Sequence, residues 1–252
     1  MTAAGKAEKR TLLQPHKRTG NPIVPYLFVA PHLLFFIVFV GYPFFYGLYI
    51  SFFQYDFLRP DATNFVFLEN YAKLFTPDSV QFPVFWNALG NTVEFVFLSV
   101  PPLIIIPLIL AVLLNTKVPG RNFFRGIYFA PWVLSAAVVG LLGFWMFQSQ
   151  GGLLNYYLIQ MGIEAPRWLS SMPWAWVSIL LITIWWTVGF NMIIILAALQ
   201  DIPAHLYESA AIDGANSWRQ FVSITIPLLR PVMVFVTVIT IIASFNLFAQ
   251  PF

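Results

Sequence analysis

Five long stretches without a charged side chain dominate this sequence. A helix needs about 20 predominantly apolar residues to cross a bilayer, and each stretch is long enough for one crossing. The stretches are continuously apolar rather than alternating, which predicts helices and not the strands of a membrane barrel. The sequence therefore predicts an all-α polytopic membrane protein with about five transmembrane helices, near residues 27–52, 92–115, 127–148, 174–199 and 229–250.

The composition supports a membrane setting and excludes several other classes of protein. Of the 252 residues, 59% are hydrophobic and only 9% are charged, whereas a soluble domain carries about 25% charged residues. A soluble globular domain, a disordered chain and a nucleic-acid-binding module are therefore excluded. The chain has no cysteine, its three histidines are scattered, and it contains no glycine-rich phosphate loop. We therefore expect no metal, no cofactor and no catalytic residue in this chain.

Basic residues indicate the orientation, because cytoplasmic loops of membrane proteins are enriched in Lys and Arg. Ten of the 13 basic residues lie in alternate segments, namely the N-terminal tail and the loops 116–126 and 200–230. The connections 53–91 and 149–173 hold the remaining ones. We therefore expect the N-terminus and these two loops to be cytoplasmic.

Three prolines interrupt the second predicted span, at Pro101, Pro102 and Pro107. Proline lacks an N–H and kinks a helix. In a bilayer, the carbonyl group that it leaves free needs a partner from a neighbouring helix or from water. A bent helix beside a translocation path and a simple packing kink explain these prolines equally well.

The last connecting loop differs from the others because it carries two short predicted helices. Residues 204–212 form an amphipathic segment, and Gly214 supplies a turn that needs a positive φ. Ser217 is the expected cap of a second helix at residues 218–226, which Pro227 should end.

Three side chains of this loop, Tyr207, Glu208 and Trp218, are predicted to be exposed. An apolar surface with a carboxylate favours docking on a soluble partner. The alternative is an amphipathic helix that lies on lipid.

A spaced motif runs through the same loop. Glu208-Ser209-Ala210 is followed after three residues by Gly214, and after nine more by Ile224-Thr225-Ile226-Pro227. This pattern resembles the EAA loop of the integral membrane permeases of binding-protein-dependent ABC importers, which reads Glu-Ala-Ala, three residues, Gly, nine residues, Ile-x-Leu-Pro. Ser209 and Ile226 depart from the pattern but leave its spacing intact.

Further segments are similar to the carbohydrate-importing branch of this family, of the maltose and glycerol-phosphate type. They are Ile212-Asp213-Gly214-Ala215, Asn70-Tyr71 and residues 121–131. The resemblance covers residues 27–252. We expect the whole chain to consist of a basic cytoplasmic tail (1–24), a first helix with an external connection (25–91) and a core permease domain (92–252). Family members usually have six or more spans, so we expect this sequence to lack the last helix.

The resemblance implies a membrane-spanning subunit of an ATP-driven sugar importer in the prokaryotic cytoplasmic membrane. Its partners would be a second permease subunit, two ATPase subunits and an extracytoplasmic solute-binding protein, with ATP and Mg²⁺ bound only in the ATPases. The EAA loop would be the coupling helix that enters a cleft of the ATPase. The residues that match this role are Glu208, Ser209, Ala210, Asp213, Gly214 and Pro227.

Polar and aromatic residues at mid-span are the candidates for the substrate path, because a polar group that faces lipid is costly. Sugars are bound by hydroxyl-matching polar groups and by aromatic faces. The approximate family counterparts in this sequence are Trp132, Thr183, Trp186, Thr187 and Asn246, with Asn246 the foremost candidate. For each threonine, a hydrogen bond back to its own helix is an equally good explanation.

Two other classes of function remain to be weighed. An ion-coupled secondary transporter would have ionisable residues inside the spans and inverted repeats, and the charge-free stretches show almost none of the former. A membrane enzyme would need a nucleophile, a base or a metal site, and no such arrangement is visible in the sequence.

Overall fold

The computed structural model describes residues 23–56, 58–59, 63–116 and 119–246. The basic tail, Lys117 and the end of the fifth predicted span lie outside these residues. Four described helical stretches are long and apolar enough to cross a membrane, namely Val24–Ile50, Gln81–Asn115, Trp174–Gln200 and Ser217–Phe245. The all-α polytopic architecture is thereby confirmed, and these helices correspond to four of the five predicted spans.

The described residues divide into two compact units, with the boundary between Pro83 and Val84. In the first unit, one long apolar helix consists of α1 (Val24–Phe36), a π-helical segment (Ile37–Gly41) and α2 (Tyr42–Ile50). A two-stranded antiparallel hairpin and a short helix follow, β1 (Phe53–Gln54), β2 (Asn64–Phe65) and α3 (Glu69–Lys73). The Asn70 amide donates to the carbonyl oxygens of Ser51 and Phe53, both at 2.9 Å, and so ties α3 to the end of the long helix.

The second unit begins within α4, and all of its described regular elements are helices. Its elements are α4 (Gln81–Asn115), α5 (Arg121–Phe129), a 3₁₀ turn (Ala130–Val133), α6 (Ala136–Phe147), α7 (Leu153–Gln160), α8 (Trp174–Gln200), α9 (Ala204–Ile212), α10 (Ser217–Gln220), a π-helical segment (Phe221–Thr225) and α11 (Ile226–Phe245). Its main apolar core joins α4, α8 and α11 through Ala111, Leu114, Met192, Ile195, Leu196, Leu199, Leu229 and Val236. A second apolar cluster packs α6 against α8 through Val139, Phe147, Trp168 and Ile182.

The third predicted span, 127–148, is wrong as a single helix. The chain bends by 97° between residues 121–133 and 136–147. Leu134 and Ser135 are extended there, and the Ser135 hydroxyl caps α6 by accepting from the N–H of Val138 at 3.4 Å. The 12 residues of α6 rise about 18 Å, less than the roughly 30 Å of a bilayer core. Pro131 and Ser135, a helix breaker and a cap four residues apart, account for the break.

The predicted end of the second loop helix at Pro227 is also wrong. The chain stays helical from Ser217 to Phe245, and Pro227 is the second residue of α11. Just before it, the N–H of Ile226 donates to the carbonyl of Phe221, five residues earlier. Such a widened turn accommodates a proline ring that would clash in a regular α-helix. The cap of this helix is Asn216, whose side chain accepts from the N–H of Arg219 at 2.8 Å, and not Ser217.

The backbones of α5 and α8 approach each other very closely where the two helices cross at Gly189. A Cβ atom added to Gly189 would overlap the carbonyl oxygen of Tyr128 and lie 2.7 Å from the Cα of Phe129. Small residues let helices in membranes pack this closely. Gly189 therefore sets the distance between α8 and the helix that precedes the break.

We predict that Gly189→Ala lowers the free energy of unfolding by at least about 1–3 kcal/mol, because the overlap is with rigid backbone and not with a flexible side chain. Thermal unfolding of the purified protein in detergent measures this change. Gly126→Ala is the matched control, since Gly126 is also helical and a Cβ atom added to it would meet no other atom within 4 Å. Equal unfolding temperatures for the two variants would contradict the assignment.

Candidate functional site

The loop between α8 and α11 contains α9, whose boundaries agree with the predicted helix at 204–212. Its C-terminal end is closed by two backbone hydrogen bonds, from Gly214 to the carbonyl of Ala211 at 3.1 Å and from Ala215 to the carbonyl of Ala210 at 2.9 Å. This is the Schellman arrangement, which requires a left-handed residue after the helix. Gly214 occupies that position with φ of 78°. The predicted glycine turn is therefore confirmed.

One face of α9 is exposed and carries most of the motif residues. Glu208, Ser209 and Asp213 are exposed, and Ala210 is half-buried. Among the described residues, no ion pair involves Glu208. The Ser209 hydroxyl donates to the carbonyl of His205 within α9 at 2.8 Å, so its proton is not used to bond the Glu208 carboxylate. The carboxylate is free to bind a cation of another molecule.

The surface around α9 is also apolar. Ile212 is 88% exposed and Trp218 is 71% exposed. A large exposed aromatic side chain beside a carboxylate is typical of a docking surface. Tyr207, predicted to be exposed, is instead half-buried, and its hydroxyl lies 2.9 Å from Thr225 Oγ1.

A seam of buried polar side chains links α4, α8 and α11. The Asn191 amide donates to the carbonyl oxygen of Leu103 at 2.9 Å and to Thr240 Oγ1 at 3.1 Å. One turn away, Ser99 donates to Ser244 at 3.1 Å. All four polar side chains are at least 95% buried. The seam therefore fixes the register of three helices in the apolar core.

Proline explains why Asn191 bonds to a helix carbonyl. In α4, the N–H of residue 107 would normally bond to the carbonyl of Leu103, but residue 107 is a proline and has no N–H. A free carbonyl in an apolar interior is costly. Asn191 replaces the missing donor. The sequence shows this partnership only indirectly, as a proline in one span and an amide in another.

Three aromatic side chains form a second arrangement, beside the break between α5 and α6. Trp132 stacks on Phe190 with ring centroids 4.5 Å apart and lies 5.7 Å from Trp186. Trp186 Nε1 donates to the carbonyl of Leu134 at 3.3 Å, within the extended residues of the break. We call Trp132, Trp186 and Phe190 the aromatic cluster. It is half-buried, and so presents flat apolar ring surface that a ligand can reach.

A family model described as the inner membrane component of binding-protein-dependent transport systems matches residues 80–251. The chain belongs to this family. It is 38% identical over 232 residues to the arabinooligosaccharides transport system permease protein AraP of Bacillus subtilis, covering 90% of this chain and 71% of that protein. It is 39% identical over 228 residues to the lactose transport system permease protein LacF of Rhizobium radiobacter, covering 89% and 74%.

Solved structures agree with this assignment. The fold is similar to a crystal structure of a bacterial ABC transporter involved in the import of the acidic polysaccharide alginate, with a TM-score of 0.74 and 25% identity. The match covers 89% of this chain and 74% of that chain. A second structure, of the alginate transporter with its pentasaccharide-bound periplasmic protein, matches with a TM-score of 0.72 and 27% identity, covering 86% of this chain and 70% of that chain. These relatives favour an ABC importer permease over an ion-coupled transporter.

In this permease, the five candidates for the substrate path do not form one constellation. Trp132 and Trp186 meet in the aromatic cluster. Thr187 donates to the carbonyl of Thr183 at 2.7 Å, as expected for a threonine that bonds to its own helix. Thr183 Oγ1 is buried and has no hydrogen-bond partner among the described residues. Asn246 is exposed at the end of α11 and donates to the carbonyl of Ile242 at 2.8 Å.

Several contacts of the permease were not proposed from the sequence. Phe190 completes the aromatic cluster, and Tyr207 and Thr225 form a contact between α9 and the last helix. Helical spacing was an available signal for Phe190, because it lies four residues after Trp186 on α8. For Tyr207 and Thr225 the sequence offers no such signal, since they are 18 residues apart across a turn.

We predict that Asn191→Leu lowers the free energy of unfolding of the permease by about 1–3 kcal/mol, because the carbonyl of Leu103 is left without a donor. In a Pro107→Ala background the same substitution should cost less, since the introduced alanine has an N–H that bonds to that carbonyl. A double-mutant cycle of unfolding measurements in detergent gives the coupling between the two positions.

Pro101→Ala is the control for this cycle, because Pro101 frees the carbonyl of a different residue, Phe97. Coupling of Asn191 to Pro107 that does not exceed its coupling to Pro101 would refute the partnership.

Proposed function

We propose that this permease is a membrane-spanning subunit of an ATP-driven sugar importer and that α9 is its coupling helix. The observation that carries the proposal is Glu208, exposed and without an ion pair among the described residues, on a helix closed by Gly214 at the spacing of the EAA motif. The proposed coupling surface is formed by Glu208, Ser209, Ala210, Asp213 and Gly214, with Pro227 at the base of the last helix. Glu208 would bind a basic group of an ATPase subunit, and the small residues would allow close approach.

The complete assembly in this proposal has two permease subunits, two ATPase subunits that bind ATP and Mg²⁺, and a solute-binding protein on the outer side. Support comes from the family, whose description names binding-protein-dependent transport, and from a similar transporter solved with a periplasmic protein. The N-terminus and α9 are proposed to be cytoplasmic, in line with the distribution of Lys and Arg. Closure of the ATPases would displace α9 and switch the helices between two states.

The proposed substrate is a sugar. The relatives named above transport arabinooligosaccharides and lactose, and the aromatic cluster offers ring faces suited to the C–H patches of a sugar. Trp132, Trp186, Thr183 and Thr187 are the proposed lining of the path. Asn246 stays a candidate, although its amide donates to its own helix.

We predict that Glu208→Lys leaves membrane insertion intact but abolishes ATP-driven uptake, because the substituted lysine repels the basic group that Glu208 is proposed to bind. Recovery of the tagged permease in the membrane fraction and uptake into vesicles measure these two effects, and co-purification of the ATPase subunits reports whether their contact is lost. Glu164→Lys is the matched control, since Glu164 is an exposed carboxylate in the connection between α7 and α8. Normal uptake by Glu208→Lys would show that the coupling role is wrong.

We further predict that Trp132→Leu changes the ratio of uptake rates of two competing sugars by about twofold to tenfold, the range that an aromatic contact supports. Competition between pairs of radiolabelled sugars in reconstituted vesicles measures this ratio. Trp145→Leu is the control, because Trp145 is an exposed tryptophan outside the cluster. An unchanged ratio in Trp132→Leu would remove the cluster from the substrate path.

A further inference from the structure

Three side chains hold α9 against the base of the last helix. The hydroxyl of Tyr207, on α9, lies 2.9 Å from the hydroxyl of Thr225. The Gln220 amide donates to the carbonyl of Ala215 at 3.1 Å and makes a longer contact of 3.5 Å with the carbonyl of Tyr207. We call Tyr207, Gln220 and Thr225 the α9 clamp. It joins both ends of the turn that separates α9 from α10.

The connection of α9 to α8 is different. Residues 201–203 between the two helices are not helical, and Pro203 precedes α9 without a side-chain cap. Within the described part of the chain, no side-chain hydrogen bond runs from α9 to α8. The link on this side is a short stretch of chain with Ile202 packed on the main apolar core, whereas the link to the last helix is cross-braced by side-chain hydrogen bonds.

Thr225 connects the clamp to the apolar core of the second unit. Thr225 is 5% exposed and is the last residue of the π-helical segment. Leu229, four residues further, is fully buried among residues of α4 and α8. On α9, Tyr207 is next to Glu208, and successive helical side chains point about 100° apart. Glu208 is exposed, whereas the neighbouring Tyr207 contacts Thr225 of the last helix.

From this geometry we infer that Tyr207 and Thr225 are positioning residues that make α9 and the last helix move as one body. A displacement of α9 is then delivered to α11, and through it to the polar seam at Thr240, while residues 201–203 bend. The inference rests on the proposed coupling role of α9. It adds which helix receives the motion and which contact transmits it.

Spin-label distances test this assignment directly, and the absence of cysteine from the chain makes labelling specific. Labels are placed on cysteines that replace exposed residues, in the pairs Ala211 with Ser223 and Ala211 with Ala197. The complete transporter in lipid nanodiscs is measured without nucleotide and with trapped ATP. The distance from residue 211 to residue 197 on α8 should shift, and that from 211 to 223 should not. A shift between 211 and 223 as large as that between 211 and 197 would overturn the inference.

Substitutions then test the hydrogen bond between Tyr207 and Thr225 without disturbing the rest of the fold. In Tyr207→Phe and Thr225→Val, which each remove one hydroxyl, the distribution of distances between 211 and 223 should broaden even without nucleotide. Thr237→Val is the matched control, because the Thr237 hydroxyl donates within its own helix, to the carbonyl of Met233 at 2.7 Å. Equal widths for the three variants and the parent protein would refute the clamp.

The functional readout is the amount of sugar transported per ATP hydrolysed, measured with the sugar that the wild-type assembly takes up fastest from a panel including lactose and an arabinooligosaccharide. Tyr207→Phe and Thr225→Val should each lower this ratio about twofold to tenfold, as one hydrogen bond allows, and the double variant should lose no more than either. The ATPase subunits should still co-purify. If Glu208→Lys releases the ATPase subunits but the clamp variants keep the wild-type ratio, the clamp is wrong and the proposed function stands. If the ATPase subunits still co-purify with Glu208→Lys, the proposed function fails.

Discussion

The arrangement of the second unit depends on one constraint, which is that every backbone carbonyl freed inside an apolar environment needs a donor. Two such carbonyls in the described second unit are those of Leu103, which Pro107 leaves free within α4, and of Leu134, in the break before α6. Both freed carbonyls are satisfied from the same helix, by the Asn191 amide and the Trp186 indole of α8. α8 therefore does more than cross the membrane, since it makes the irregularities of its neighbours tolerable.

The same helix also sets distances. Gly189 lies between Trp186 and Asn191 in the sequence of α8 and lets its backbone approach that of α5 at Tyr128. A larger residue there would move α8 away from the break, and the indole of Trp186 could then no longer reach Leu134. The close approach and the two donors thus depend on each other, which makes this stretch of α8 intolerant of change at several positions together.

Sequence reasoning succeeded where the information is local. Long apolar stretches gave the four long helices, and the spacing of Pro203 and Gly214 gave the limits of α9, because proline and glycine act on the backbone within a few residues. It failed where two distant segments decide the outcome. Pro227 did not end its helix because a widened turn upstream accommodates it, and Tyr207 is half-buried because Thr225 lies beside it. Of the three residues in the aromatic cluster, Trp132 and Trp186 were predicted candidates for the substrate path and Phe190 was not.

The irregular segments of the last helix help to explain how a rigid bundle could respond to its partners. The α9 clamp ends on Thr225, the last residue of a π-helical turn, and Pro227 lies between Thr225 and the buried part of α11. The helix is therefore braced at its base and regular where it meets Asn191. Widened turns replace regular i to i−4 hydrogen bonds with longer-range ones and often occur at functional sites. A displacement of α9 would therefore pass through this turn to the part of α11 that bonds to α4 and α8 in the seam of Ser99, Asn191, Thr240 and Ser244. The last helix would then tilt against α4 and α8 rather than slide along them, because the buried polar groups of the seam are satisfied in one register only.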